Sequence, residues 1–195
     1  MNKKIIGLTG VAGCGKDTFF ELVSKEANCQ RYSLADGLKD EVNAWTKEAY
    51  SIDALHCSRL EKEIIRPFLV SHAGIRRVQT EGRYWIDKLS ERIDTSDSPI
   101  PIIQIITDIR YSEYEKDEVY WLKEELGGQL IHLSMYSRDD DKNVTWREPA
   151  NEDEARNDPI LHNSADYHIE WPELNPFEPE KLKPYIDDFF RYLQQ

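Results

Sequence analysis

The feature that most restricts the fold of this chain is a glycine-rich stretch between an apolar run and an amphipathic run. Residues 5–9 are mostly apolar, and Gly10, Gly13 and Gly15 follow them. Over residues 17–25, apolar side chains then recur at helical spacing. This order predicts a strand, a tight loop and a helix. Such a unit is the usual beginning of an α/β fold.

The same alternation of strand and helix patterns continues to the C-terminus. Further strands are predicted at residues 31–34, 100–107, 130–134 and 167–170. The 100–107 run is rich in isoleucine, which is typical of a parallel strand covered on both faces. Together the patterns predict an α/β fold, a three-layer α/β/α sandwich with a five-stranded parallel sheet.

Three of the predicted helices carry distinct signals. The pattern over residues 59–78 contains Pro67, which predicts a kink or a restart there. A helix over residues 113–126 is expected to end at Gly127, and the last helix covers about residues 178–193. The polar segment at residues 95–99 is predicted to be a surface loop.

The length of 195 residues fits one domain, which we place at residues 1–195. Within it, residues 36–95 are predicted to form a helical insertion. Residues 138–158 are charged and lack apolar periodicity, so they are predicted to form a mobile excursion that could act as a lid.

Charge and cysteine content narrow the partners and the compartment. A net charge of −12 argues against a nucleic-acid polymer as partner. Cys14, Cys29 and Cys57 lack CxxC spacing, which favours a reducing compartment, the cytosol, over a disulfide framework or a zinc site. The N-terminal apolar run is too short for a signal sequence or a membrane span, so no membrane association is expected.

The glycine-rich stretch at residues 10–18 matches the G-x4-G-K part of the Walker A motif. Its backbone amides are expected to surround the phosphates of Mg·ATP, with Lys16 reaching the β and γ oxygens. Asp17 replaces the usual metal-contacting Ser or Thr, so Asp17 is the candidate Mg²⁺ contact, directly or through water. The ATP-binding residues expected here are Gly10, Ala12, Gly13, Cys14, Gly15, Lys16, Asp17 and Thr18.

Beyond this loop, several short segments follow one another in a characteristic order. They are GKDT at residues 15–18, ADGLK at 35–39, Arg66, Gly74, Arg76, Trp85, TDIR at 107–110 and LHNSADYHI at 161–169. Together they resemble bacteriophage-type deoxynucleoside monophosphate kinases. The resemblance implies phosphorylation of a dNMP to dNDP with Mg·ATP in a nucleoside-monophosphate-kinase fold. For a viral protein the compartment would be the host cytoplasm.

An acceptor monophosphate carries about two negative charges and needs arginine forks to hold it beside ATP. Arg66, Arg76 and Arg77 are the candidates. Asp108 and Arg110 follow a predicted strand at its carboxyl end, where open α/β sheets bind ligands. By resemblance, these two bind the acceptor or assist transfer together with Lys16; the alternative is a structural ion pair.

The remaining acceptor-site candidates each have a structural alternative. Trp85 either stacks on a base or belongs to the core of its helix, and Asp36 and Lys39 either contact the acceptor or form a solvated helix start. Gly74 and Glu113 complete this set. In the predicted lid, Arg138 and Arg147 are the preferred cations toward ATP, with Lys142 and Arg156 also available; the alternative is a solvated charged loop.

Two other functions fit the same residues. Animal-type phosphomevalonate kinases also resemble this pattern, and a regulatory module could bind a nucleotide without turnover. The five histidines are scattered in the sequence, so no structural metal site is expected. The base accepted and the presence of a homodimer stay open at this stage.

Overall fold

The computed structural model describes residues 4–93, 102–139, 141–174 and 178–195. The strands are β1 (Lys4–Thr9), β2 (Cys29–Tyr32), β3 (Ile103–Ile106), β4 (Gln129–Arg138), β5 (Val144–Trp146) and β6 (Tyr167–Pro172). The α-helices are α1 (Lys16–Glu26), α2 (Leu34–Tyr50), α3 (Arg59–Gln79), α4 (Arg83–Ser90), α5 (Glu118–Tyr120), α6 (Glu152–Ser164) and α7 (Lys183–Leu193). A π-helical turn, Trp121–Glu125, continues α5, and a 3-10 turn, Pro179–Leu182, precedes α7.

Five strands of the described residues form a parallel sheet in the order β2-β3-β1-β4-β6. In this register Lys4 pairs with Ile103, and Thr9 pairs with His132. The short β5 runs antiparallel to the far end of β4. Because all five parallel strands end at one edge, the loops that follow them lie together there.

Helices cover both faces of this sheet. Phe19 of α1 and Phe189 of α7 meet at 4.9 Å between ring centroids, in a core that also holds Ile105. Ile106, the next residue, packs into the opposite core with Trp121 and residues of α2, α3, α4 and α6. Neighbouring residues of β3 thus point into different cores, as they must in a strand with two covered faces. The predicted three-layer α/β/α sandwich with a five-stranded parallel sheet is confirmed.

Two predicted helices differ from those observed. Helix α3 continues through Pro67, which is exposed, so the predicted restart there is wrong. A capping box between Ser58 and Glu61 starts this helix. The helix predicted at residues 113–126 begins only at Glu118, because the Asp117 carboxylate accepts the backbone N–H groups of Glu113 and Tyr114 and closes a turn.

The segment predicted to be a mobile excursion, residues 138–158, contains a strand and the start of a helix. β5 lies within it, and α6 begins at Glu152 after Asn151, whose side chain accepts the N–H of Glu154. The predicted loop at residues 95–99 and the first two residues of the predicted 100–107 strand lie outside the described residues. No helix within the described ranges is both long enough and apolar enough to cross a bilayer.

Candidate functional site

The glycine-rich loop joins β1 to α1 at the carboxyl edge of the sheet. Gly10 and Gly15 have φ angles of +121° and +98°, in the region that favours glycine. A Cβ atom on Gly10 would lie 2.2 Å from the carbonyl oxygen of Leu133, and one on Gly15 would lie 2.6 Å from the Trp171 ring. The indole N–H of Trp171 also donates to the Cys14 carbonyl at 2.8 Å. The loop is therefore held tightly against β4 and β6.

Lys16 lies over this loop. Its Nζ donates to the carbonyl oxygens of Gly10 at 2.5 Å and Val11 at 3.1 Å. The Sγ of Cys14 is 3.6 Å from the same nitrogen. Burial raises the pKa of the Cys14 thiol, and the nearby Lys16 charge only partly opposes this. Cys14 is thus a buried packing residue of the loop, and the ammonium of Lys16 is the group that carries charge.

The carboxylate of Glu154 enters the loop from the first turn of α6. Its Oε2 accepts the backbone N–H of Ala12 at 3.1 Å and that of Ala150 at 3.0 Å. Its Oε1 lies 3.8 Å from Nη1 of Arg110. A carboxylate in contact with a loop amide and an arginine marks a position that favours an anion.

Other cations surround this position to different degrees. Arg147 packs against the loop, with Nη1 3.2 Å from where a Cβ of Gly13 would lie, and it pairs with Glu173 at 2.5 Å. Arg66 is exposed on α3; hydrogen bonding to Glu63 raises its pKa, and attraction to Glu154 adds a smaller contribution. Arg138 lies at the far end of β4 and contacts Tyr136 instead.

Asp108 holds the start of α2. Its two carboxylate oxygens accept the hydroxyl of Ser33 at 2.7 Å and the backbone N–H groups of Leu34 at 2.8 Å and Ala35 at 2.9 Å. The side chain is buried, and both oxygens are engaged in these bonds. Asp108 therefore caps the N-terminus of α2, as N-cap carboxylates do. Arg110, two residues later, has an exposed side chain.

Arg77 lies in a buried ion-pair cluster and not in an open cleft. Its guanidinium bonds to Asp117 at 2.9 and 3.0 Å and to Glu118 at 3.2 Å, and it stacks 3.7 Å from the centroid of the Tyr111 ring. Burial raises the pKa of Glu118 to about 8, against the lowering effect of Arg77. Glu113 joins this cluster at 3.5 Å. With these partners, Arg77 is not available to an acceptor phosphate.

Arg76 belongs to a half-exposed cluster around Glu41, formed by side chains of α2, α3 and α4. The Glu41 carboxylate accepts hydrogen bonds from Arg76 at 3.2 Å and Tyr84 at 2.6 Å and also contacts His72 and Lys88. Burial alone would raise the pKa of Glu41, but the hydrogen bonds from Lys88, Tyr84 and His72 outweigh it and lower this pKa to about 2. Cationic groups outnumber the single carboxylate here, which leaves an excess of positive charge.

The other expected acceptor residues lie around this cluster. Trp85 is buried, and its indole N–H donates to the Ala73 carbonyl at 3.3 Å, which supports its role as a core residue. A Cβ on Gly74 would have no heavy atom within 4 Å, so the surface of α3 is open there. Asp36 pairs with Arg31 at 3.5 Å and Lys39 at 4.0 Å at the start of α2.

Oxygen donors for a magnesium ion are present at the start of α1. The Asp17 side chain is 85% exposed, and its carboxylate lies 3.9 Å from the guanidinium of Arg31. Thr18 follows it with a hydroxyl. Carboxylate and hydroxyl oxygens are the ligands that Mg²⁺ prefers, so these two residues fit the metal of Mg·ATP.

The structure brings together three histidines that are scattered in the sequence, where no ligand cluster was expected. His132 of β4, His162 of α6 and His168 of β6 place their ring nitrogens within 4.8 Å of one another. His132 is buried, whereas the other two are exposed. No sequence motif indicates this group of histidines, because the three residues lie on three separate secondary-structure elements.

Glu154 was also not identified from the sequence as a site residue. The spacing of Asn151 and Glu154 is a helix-start signature of the N-x-x-E type. That signal predicts a helix beginning here, although it does not show that the helix points at the glycine-rich loop. The long-range contact to Ala12 depends on the crossover from β4 to β6.

No protein-family model matches the sequence, and no curated protein matches it. Among solved structures, the chain is similar to dephospho-CoA kinase from Campylobacter jejuni. The two share 15% sequence identity over 97% of each chain, with a TM-score of 0.38. A similarity this distant says nothing about activity, so the function must follow from the site itself.

Proposed function

We propose that this protein is an ATP-dependent phosphotransferase that phosphorylates a phosphate-bearing acceptor, a deoxynucleoside monophosphate. The observation that carries the proposal is the Glu154 carboxylate, which contacts the Ala12 amide beside Arg110. This carboxylate takes a place that suits an ATP phosphate in a loop of the Walker A type. ATP binding would displace it, because the triphosphate carries more charge and reaches more of the loop amides.

The loop supplies the ATP site in this proposal. Lys16 leaves the carbonyl oxygens that it now contacts and reaches the β and γ phosphate oxygens. Arg147, already packed against Gly13, neutralises charge on the γ phosphate. Asp17 and Thr18 would hold Mg²⁺, which, when bound, neutralises the phosphate oxygens.

The acceptor site is formed by α2, α3 and α4 together with Arg110. Arg76 and Lys88 of the Glu41 cluster supply positive charge. Arg66 lies close enough to Glu154 for electrostatic attraction between the two side chains. Arg77 contributes indirectly, because it holds Asp117 and Glu118, and Glu118 in turn accepts the Arg110 backbone N–H at 2.6 Å. Residues of β5 and α6 would act as the lid.

Transfer needs positioning more than proton movement. An oxygen of the acceptor phosphate forms a bond to the γ phosphorus while the bond from that phosphorus to the β–γ bridging oxygen breaks and ADP leaves. A phosphate monoester is already largely ionised near neutral pH, so no strong general base is required. The protein's contribution is the alignment of two anions and the neutralisation of their charge.

The test is ADP release from Mg·ATP with each dNMP, each NMP and phosphomevalonate in turn. Lys16→Ala serves as the inactive variant, and Lys62→Ala, on the exposed side of α3, is the matched control. We expect at least one dNMP to stimulate turnover in the wild type and the control, with a loss of about 100-fold or more in Lys16→Ala. Binding of ATP without stimulation by any acceptor would show a nucleotide-binding module instead.

A further inference from the structure

We propose that His132, His162 and His168 form a binding site for a divalent transition-metal ion, with Zn²⁺ as the best fit. His132 and His168 are register partners on the neighbouring parallel strands β4 and β6, so their side chains emerge on the same face of the sheet. His162 reaches this face from α6. This site shares no residue with the proposed ATP site and does not rest on the proposed function.

The distances suit closure around a metal ion. The ring centroid of His162 lies 4.3 Å from that of His168 and 4.8 Å from that of His132. The ligand nitrogens of the three residues lie within 4.8 Å of one another. Tetrahedral Zn²⁺ with bonds of about 2.0–2.1 Å needs nitrogens roughly 3.4 Å apart. Small rotations of His162 and His168, which are exposed, can supply this change while the buried His132 stays fixed.

A carboxylate next to the three histidines favours the binding of a cation between them. Oδ1 of Asp158 lies 3.1 Å from Nε2 of His132. Carboxylates commonly orient ligating histidines and add negative charge that favours a dication. Ser134 Oγ lies 3.3 Å from the other ring nitrogen of His132, and its hydroxyl can rotate away. Asp158 and His162 are one turn apart on α6, so both face the sheet.

The donor type indicates which metals can bind. Imidazole nitrogens suit Zn²⁺, Cu²⁺ and Ni²⁺, whereas Mg²⁺ prefers oxygen ligands and keeps its waters. The magnesium that accompanies ATP should therefore not compete for this site. A bound metal would link α6 to β4 and β6. Because Glu154 lies two turns before His162 on the same helix, this link would also fix the helix that touches the glycine-rich loop.

The experiment uses untagged full-length protein stripped of metal with a chelator. Zn²⁺ alone is titrated by calorimetry in excess Mg²⁺, and Co²⁺ is titrated by its visible absorption, which is intense when coordination is tetrahedral. We expect one Zn²⁺ per chain and a rise in thermal unfolding temperature on binding. His162→Ala and His168→Ala should each weaken Zn²⁺ binding by about 100-fold or more, and Asp158→Asn by about 10-fold.

The matched control is His56→Ala, because the His56 side chain is 81% exposed and lies far from the cluster in sequence. It should bind Zn²⁺ like the wild type. Since His162 and His168 are exposed, circular dichroism should show that their alanine variants remain folded. Zn²⁺ binding that is absent in the wild type, or equal in all four variants, would overturn the proposal.

Discussion

Glu154 and an incoming phosphate require the same loop amide, that of Ala12. Under the proposed function, Glu154→Gln removes the competing negative charge from the site. We expect ATP affinity to rise by about tenfold, or roughly 1.4 kcal/mol, as measured by calorimetry. Glu152→Gln is the matched control, because Glu152 is an exposed glutamate in the same turn of α6. A lower ATP affinity for Glu154→Gln would show that this carboxylate assists nucleotide binding instead.

The contribution of the single residue Glu41 to the stability of the fold should depend on pH. Its pKa is lowered to about 2 in the folded protein, from an ordinary value of 4.5. A lowered pKa stabilises the fold above the unfolded value, and that stabilisation disappears as pH falls toward the folded value. The free-energy difference between wild type and Glu41→Gln should therefore be largest above pH 4.5 and shrink toward pH 2.

Urea unfolding at a series of pH values measures this difference, because glutamine at position 41 cannot titrate. A matched control is Glu48→Gln, since Glu48 is exposed on the same helix. The difference in unfolding free energy between wild type and Glu41→Gln could instead stay constant from pH 7 to about pH 2.5. That result would show that Lys88, Tyr84 and His72 do not hold this carboxylate in the charged form in solution.

At the scale of secondary-structure elements, helix α3 contains a proline, Pro67, in its interior. Proline removes one helical hydrogen bond and crowds the preceding turn, yet α3 continues through it. Pro67→Ala should raise the free energy of unfolding by about 1–3 kcal/mol in urea. Pro184→Ala is the control, because Pro184 lies in the first turn of α7, where proline is tolerated, and should change little. Equal effects of the two changes would contradict the explanation.

Local patterns predicted the elements whose stability is local. The loop between β1 and α1 was predicted because its glycines and lysine are contiguous in sequence. The helix at residues 113–126 was predicted too long because a single side chain, that of Asp117, closes a turn before Glu118. Helix α6 was missed because its exposed face is charged and its buried face is narrow, with Asn157 and Leu161 as its buried residues.

Site residues that meet across the fold were harder to predict. Arg77 is of the residue type expected to bind the acceptor phosphate. Its burial beside Asp117 and Glu118, however, gives it a structural role. Asp108 follows β3 as expected, yet the adjacent start of α2 uses both its oxygens. Such outcomes depend on tertiary contacts that no local pattern contains.

For the whole molecule, the position of β1 has a consequence for folding. This strand lies at the centre of the sheet, and its neighbours are far downstream, since Lys4 pairs with Ile103 and Thr9 with His132. Contacts between residues so distant in sequence slow folding, because a large loop must close before they form. During synthesis, β1 leaves the ribosome before β3 and β4, so it lacks both partner strands until they have emerged. A strand that is made before both of its partners is thus among the last to reach its native surroundings.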